Sequence, residues 1–469
     1  MKKFIRYTFL LVTGGMLFAG CKKFLNINKD PNNPLVVPEV VTVPPIEVTL
    51  STVVVGGFPG TTLNYWMQTL SLNQSLPTVE NYFIQPTDAN NSWTFNIYPN
   101  IQENLKIMIQ QAEAAKHNQY AAIGFALQAY TLAITTDLWG DVPWSQALQL
   151  PAITKPVYDP QQTIYGDIQS MLDSALAYAA ATPSQIAPST DDYIFGGDMG
   201  AWTKWIHMMK ARYYLRLSNA PGRTAATQAD SALTQVALGF ASNADNAAVT
   251  YPTTDGSPWY VNTDPAAGGV VLAKPFVDLL KGDADPRLPI YATTAPQGPN
   301  AGTYVGRPVG TDTVYGSYKD FSLVNTFYAG LNSPLYLATY SEQLFIQAEA
   351  TFITQGAAAA DPIYRAAIQA DLDMVGVASG AETVYLATKP VLTSGTALNS
   401  IITEKYIAGF LGIEPYNDYR RTGFPVLTIA ANALTPYIPK RWPYPTNELL
   451  ANPQPQDSVT LGSPVWWAQ

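Results

Sequence analysis

The chain has 469 residues, a formal net charge of −9, 13% charged residues and 12% aromatic residues. The charged share is about half the usual ~25%, which leaves ample apolar material for a large core. An acidic chain has no electrostatic reason to seek DNA or RNA, whose phosphates are neutralised by Lys and Arg. His117, His207 and Cys21 are the only His and Cys residues, so no Cys/His zinc signature exists and Ser/His/Asp or Cys/His catalysis has little material. No G-x-x-x-x-G-K-[ST] loop is present. No metal and no cofactor is expected.

Residues 1–20 read as a cleaved leader: Lys2, Lys3 and Arg6, then an apolar run from Tyr7 to Phe18, then Ala19-Gly20 before Cys21. The run is about a dozen residues, short of the ~20 a membrane-spanning helix needs. Its removal takes away three positive charges and leaves a net −12. A lone cysteine at the cleavage point is best explained as a lipid attachment site, because no intramolecular disulfide can form. No later run approaches ~18 uninterrupted apolar residues.

Residues 21–62 read as an extended, turn-rich lead, with a helix near Pro45–Val55. From Leu63 to Tyr98 the chain is aromatic and polar. Helical spacing then takes over with Leu105, Met108, Ile109 and Ala112, followed by Ile123, Leu127, Tyr130 and Ile134. Asp159-Pro160-Gln161-Gln162 predicts an N-cap and a proline at the first position of a helix carrying Ile164, Ile168 and Leu172. Further helices are expected around Trp202–Tyr213, Thr224–Leu238, Tyr340–Thr354, Pro362–Met374 and Leu398–Gly412. They fall into neighbouring pairs, 103–116 with 119–136, 161–180 with 201–218 and 342–355 with 361–375, and such pairs are the unit of helical-repeat architecture. Between 240 and 340 the periodicity stops, and a long irregular insert on a helical body is usually functional. Short strands are expected around Tyr304–Arg307 and Phe321–Phe327.

Several segments resemble the SusD/RagB family of nutrient-binding outer-membrane lipoproteins, in particular its second SusD-like branch. Leu17-Phe18-Ala19-Gly20-Cys21 resembles a lipobox, and Asp30-Pro31-Asn32-Asn33-Pro34 the family's opening. Asp137-Leu138-Trp139-Gly140-Asp141-Val142-Pro143-Trp144-Ser145-Gln146-Ala147 is similar to its D-x-x-G-D-[IV]-P-[YW]-S-E-A stretch, with Gln146 in place of the acid. Ser341-Glu342 with Glu349-Ala350, Glu404-Lys405-Tyr406, and Glu414 through Pro425 follow in family order, as do Arg441, Tyr444-Pro445 and Val465-Trp466-Trp467. The resemblance implies a mainly α fold, with a degenerate tetratricopeptide-like helical-repeat body, minor β structure and a large loop-rich insert. Residues 21–469 would form one SusD-like domain, with its ligand region at about 63–98 and 240–340. It implies a non-enzymatic protein anchored in the outer membrane through Cys21, facing the cell exterior. Its partner would be a SusC-like TonB-dependent barrel, to which it delivers an oligosaccharide or a peptide.

Trp66, Tyr82, Trp93, Trp259 and Tyr260 lie in irregular polar text, where no helix period requires burial. A flat ring can stack on the apolar face of a sugar while neighbouring Asn, Gln and Asp bond its hydroxyls; packing that holds the loops is the other use for these rings. Asp137, Asp141, Asp418, Arg420 and Arg421 read as structural groups. A glycoside hydrolase would use a carboxylate pair held ~5–9.5 Å apart. A ligand-free lid on the transporter is the remaining alternative. Asp255–Asp264 and Gly282-Asp283-Ala284-Asp285 read as turns without the EF-hand spacing for Ca²⁺.

Overall fold

The computed structural model of the chain describes residues 37–252, 254–263, 269–312, 317–453 and 459–469. The leader, Cys21 and the Asp30–Pro34 opening lie outside these residues.

Helix starts earlier than the sequence implied. Glu39–Thr49 is helical and runs on through a π-helical stretch, Leu50–Val55, and Phe58–Trp66 follows with Pro59 in its first turn. Pro44 and Pro45 lie inside the first helix. They deprive the carbonyls of Val40 and Val41 of donors, but both residues are exposed, so water can serve them. Gly57 and Gly60 make the corner between the two helices: a Cβ would stand 2.2 Å from the Val53 carbonyl oxygen at Gly57 and 1.6 Å from that of Val55 at Gly60. The run 39–66 is long and apolar enough by composition to cross a bilayer. Val43, Ile46, Leu50, Val54, Leu63 and Trp66 are buried, however, which is the pattern of a core helix.

The repeat body is as expected in its elements and different in its pairing. Asn104–Ala115 packs on Asn118–Trp139, and Tyr340–Gln355 on Ala357–Val375. Gln161–Ala179 packs chiefly on Asn118–Trp139, while Met199–Arg216 pairs with Ala225–Val236. Ala397–Ala408 lies against Tyr340–Gln355. The cap before Gln161 also differs. Pro160 is the N-cap and makes no side-chain bond. Asp159 is drawn away by the two-stranded pairing of Val142–Pro143 with Tyr158–Asp159, and accepts from the backbone N–H groups of Trp144 and Ser145 at 2.9 and 2.7 Å. Asp141 takes over the cap, accepting from Gln161 N at 2.7 Å.

In the loop-rich half, Leu70–Leu72 pairs antiparallel with Val270–Leu272, and Ala247–Val249 with Leu335–Ala338. The strands expected at 304–307 and 321–327 reduce to single bridges, Ala273 with Arg307 and Ala292 with Val324. The main buried apolar cluster runs from Val43 to Trp467, and a smaller one gathers around Phe345, Tyr364, Ile368 and Ile401.

Candidate ligand-binding cleft

The pairing of Leu70–Leu72 with Val270–Leu272 brings the two loop-rich stretches of the sequence side by side. Arg307 fastens them. Its Nη1 lies 3.1 Å from both Glu80 Oε2 and Ser71 Oγ, and its Nε donates to Asn73 Oδ1 at 3.3 Å. Burial pushes the Glu80 carboxyl above its ordinary range, against the hydrogen bond from Ser71 and the charge of Arg307. Beside this clamp lies an open cleft of about 350 Å³ with three walls drawn from four distant segments: Gln68, the start of the helix Lys274–Gly282 together with Pro308 and Val309, and Thr428–Ala430.

Gln68 is buried and holds a left-handed backbone, φ 58°, a conformation that costs free energy in a non-glycine residue and clusters at functional sites. Its Nε2 donates to the Thr428 carbonyl, joining two of the walls. Lys274 and Asp278 form an exposed ion pair one helical turn apart on the third wall. Ile429 presents an apolar surface, 43% exposed. The cleft thus offers an amide, an ammonium, a carboxylate and an apolar ledge.

The five aromatic residues singled out in the sequence do not converge here. Tyr82 lies under the cleft, its hydroxyl accepting from Ala430 N at 3.1 Å, and burial pushes the phenol up. Its ring is closed off from solvent. Trp66 and Trp93 are core rings in one aromatic column, with Trp66 6.3 Å from Trp442, Trp442 5.6 Å from Trp139, and Trp139 5.1 Å from Trp93. Trp259 is buried against a small cavity of about 70 Å³ with Val55, Tyr328 and Leu335. The reason is local: Phe58–Trp66, Asn91–Glu103 and Pro258–Asn262 are all helical, so three of these rings sit on the inward sides of helices and not on loops. Tyr260 alone is open, 43% exposed, beside the exposed Val261 and Leu331.

The charged motif residues are internal ties. Asp137 accepts from the Tyr165 hydroxyl at 2.5 Å and from Trp467 Nε1 at 2.9 Å, and pairs with Arg216. Arg420 donates to the carbonyls of Asp137 and Lys440 at 2.7 and 3.0 Å. Burial pushes the Asp418 carboxyl up, but Lys405 and Arg421 outweigh it and hold it below its ordinary range. Asp285 is bound into a buried cluster in which Arg287 also meets Asp371 and Glu404 at 2.7 Å each. This cluster locks the loop-rich half to the helical body. Among the described residues no group of three His, Cys, Asp or Glu side chains converges as a metal centre.

Gln68, Lys274 and Pro308 fall inside the stretches 63–98 and 240–340 but belong to no motif of their own, and Thr428–Ala430 lie outside both stretches. A left-handed glutamine is invisible without its neighbours, and the walls are up to 360 residues apart.

Residues 50–445 match the model of a second SusD-like family, described as starch-binding and associating with the outer membrane. The chain belongs to the SusD-like family. The fold agrees. A chitin-binding protein superposes with a TM-score of 0.78 at 24% identity, over 92% of this chain and 100% of its own. A SusD/RagB family protein from Bacteroides thetaiotaomicron gives 0.77 at 23%, over 92% and 99%. A chitin-binding SusD homolog from Flavobacterium johnsoniae gives 0.77 at 21%, over 92% and 98%. No curated protein matches the chain.

Proposed function

We propose that this SusD-like protein captures an oligosaccharide at the outer membrane and delivers it, uncleaved, to a SusC-like TonB-dependent barrel. The observation that carries the reading is the open cleft built from four distant segments in a chain whose family is described as starch-binding. Amide and charged groups at Gln68, Lys274 and Asp278 bond hydroxyls, and Ile429 and Pro308 face the C–H surface of the sugar. Tyr260 gives an exposed ring for a sugar chain that extends beyond the cleft. Two of the solved neighbours carry chitin-binding in their names, which favours a glycan over a peptide.

Binding without hydrolysis fits the charge layout. Cleavage of a glycosidic bond needs two carboxyl groups flanking it, and Asp278 is the one acid among the residues lining the cleft. Asp137 is committed to Arg216 in the interior.

Cys21 would hold the protein at the membrane through acyl chains, each buried CH₂ adding ~0.8 kcal/mol, with two or more chains needed for stable anchoring. Cys21→Ala should release the protein from the membrane fraction. Protease treatment of intact cells should digest it if it faces outward; complete protection argues for the periplasmic side. The ligand is tested by glycan-array binding of wild type against Ile429→Asp and Lys274→Ala. Both variants should weaken sugar binding by about tenfold. Unchanged affinity in both would move the site elsewhere, and binding of peptides alone would overturn the glycan assignment.

A further inference from the structure

We infer that a groove beside the first helix, Glu39–Thr49, seats the chain's own lead, with Leu25 and Ile27 laid against its apolar residues. The groove measures about 360 Å³ and runs between this helix and Asn104–Ala115. Val41, Pro45 and Thr49 line one side at four-residue intervals, in one row ~12 Å long, and Val37 stands at its entrance. Ile107 and Gln111 line the other side at the same interval. Val37, Val41 and Ile107 are exposed, so the groove offers apolar surface to solvent.

The lead, residues 21–36, runs directly into Val37 at the groove's entrance. Phe24-Leu25-Asn26-Ile27 is its apolar run, and Asp30-Pro31-Asn32-Asn33-Pro34 between that run and Val37 is rich in turn formers. Ile27 precedes Val37 by ten residues, a reach of up to ~33 Å, so a reversal at the prolines can lay the run back along the helix. In an extended segment Leu25 and Ile27 point to one side ~7 Å apart, close to the ~6 Å between successive residues of the helical row. Pro45 also denies the Val41 carbonyl its helical donor, and an extended segment brings backbone N–H groups to the same side. A segment of the same chain is present at an effective concentration of about millimolar, so a small apolar contact holds it. A membrane surface fits less well. Anionic lipids attract Lys and Arg, and neither is among the described residues lining the groove. Seating shortens the tether: the lead spans up to ~53 Å from Cys21 when free, and ~13 Å from Cys21 to a seated Leu25. This consequence rests on the anchor proposed above; the seating itself does not.

Hydrogen exchange read by mass spectrometry, on residues 21–469 carrying Cys21→Ser, tests the seating without the lipid. The backbone amides of residues 25–28 should exchange at least about tenfold more slowly than in a free peptide of residues 21–36. Val41→Asp should bring them to the free-peptide rate, and so should Leu25→Asp combined with Ile27→Asp. Val41 is 55% exposed and the lead precedes the first helix, so both variants keep the core, which thermal melting checks. Free-peptide rates in the parent chain would overturn the inference. Slow exchange that survives Val41→Asp would overturn it by placing the lead on another surface. Slow exchange that disappears on dilution would overturn it by giving the groove to a second copy of the chain. Sugar binding has no part in the readout, so this inference and the proposed function fail separately.

Discussion

Arg421 and Glu349 form a two-pronged ion pair in the interior, Nη2 standing 2.7 Å from Oε2 and Nη1 bonded to Oε1, with both side chains almost wholly buried. It joins the helix Glu414–Thr422 to the helix Tyr340–Gln355 across 72 residues. Removing Glu349 leaves Arg421 in the interior with Asp418, 3.0 Å away, as its one remaining carboxylate, and breaking a buried pair costs up to about 3–5 kcal/mol. Glu349→Ala should therefore lower unfolding stability by that amount in urea titration, while Arg421→Met combined with Glu349→Leu should recover much of it. A loss under about 1 kcal/mol in Glu349→Ala, in the range of exposed pairs, would contradict the role assigned here.

Trp93 and Tyr260 separate packing from binding. Trp93 is 4% exposed, in edge contact with Trp139 at 5.1 Å and close to Tyr98 at 4.9 Å. Trp93→Ala should cost about 3–5 kcal/mol of stability. Tyr260→Ala should leave stability within about 0.5 kcal/mol, as for a surface change, and weaken oligosaccharide binding. Thermal melting and calorimetry on the two variants read both effects. Loss of stability in Tyr260→Ala with unchanged binding would remove that ring from the ligand surface.

These two residues also show how far the sequence could be read. The helical pairs were legible because Leu105, Met108, Ile109 and Ala112, and their counterparts further on, keep a 3.6-residue period. The family motifs were legible because they are contiguous. Trp66, Trp93 and Trp259 were not, since short or π-helical stretches carry no clear period and polar neighbours hide an inward face. Glu349 stands 72 residues from Arg421, and Gln68 stands 360 residues from Thr428. Contacts of that separation leave no local pattern. The walls of the cleft are brought together by such contacts.

Glu47 gives a pH signature. It is fully buried, with Oε2 accepting from Tyr193 N at 2.7 Å and Oε1 without a partner. Burial, and then the neighbouring Asp192, push its carboxyl well above the ordinary value of 4.5. The folded state thus binds a proton that the unfolded state has released. Its stability contribution is fully present below about pH 4.5 and falls as pH rises toward the folded-state value, by at most about 1.4 kcal/mol per pH unit. Glu47→Gln, which stays neutral, should gain stability relative to wild type between pH 5 and pH 8 in urea titrations. A difference that is flat across this range would show that Glu47 ionises normally.

Capture of an oligosaccharide without cleavage is open to direct measurement. Calorimetric titration of the mature chain with maltohexaose and chitohexaose, followed by assay of the same samples for new reducing ends, tests it most directly. Saturable binding of at least one of these sugars is expected, with no new reducing ends after prolonged incubation. Turnover of either sugar, or binding of neither, would contradict it.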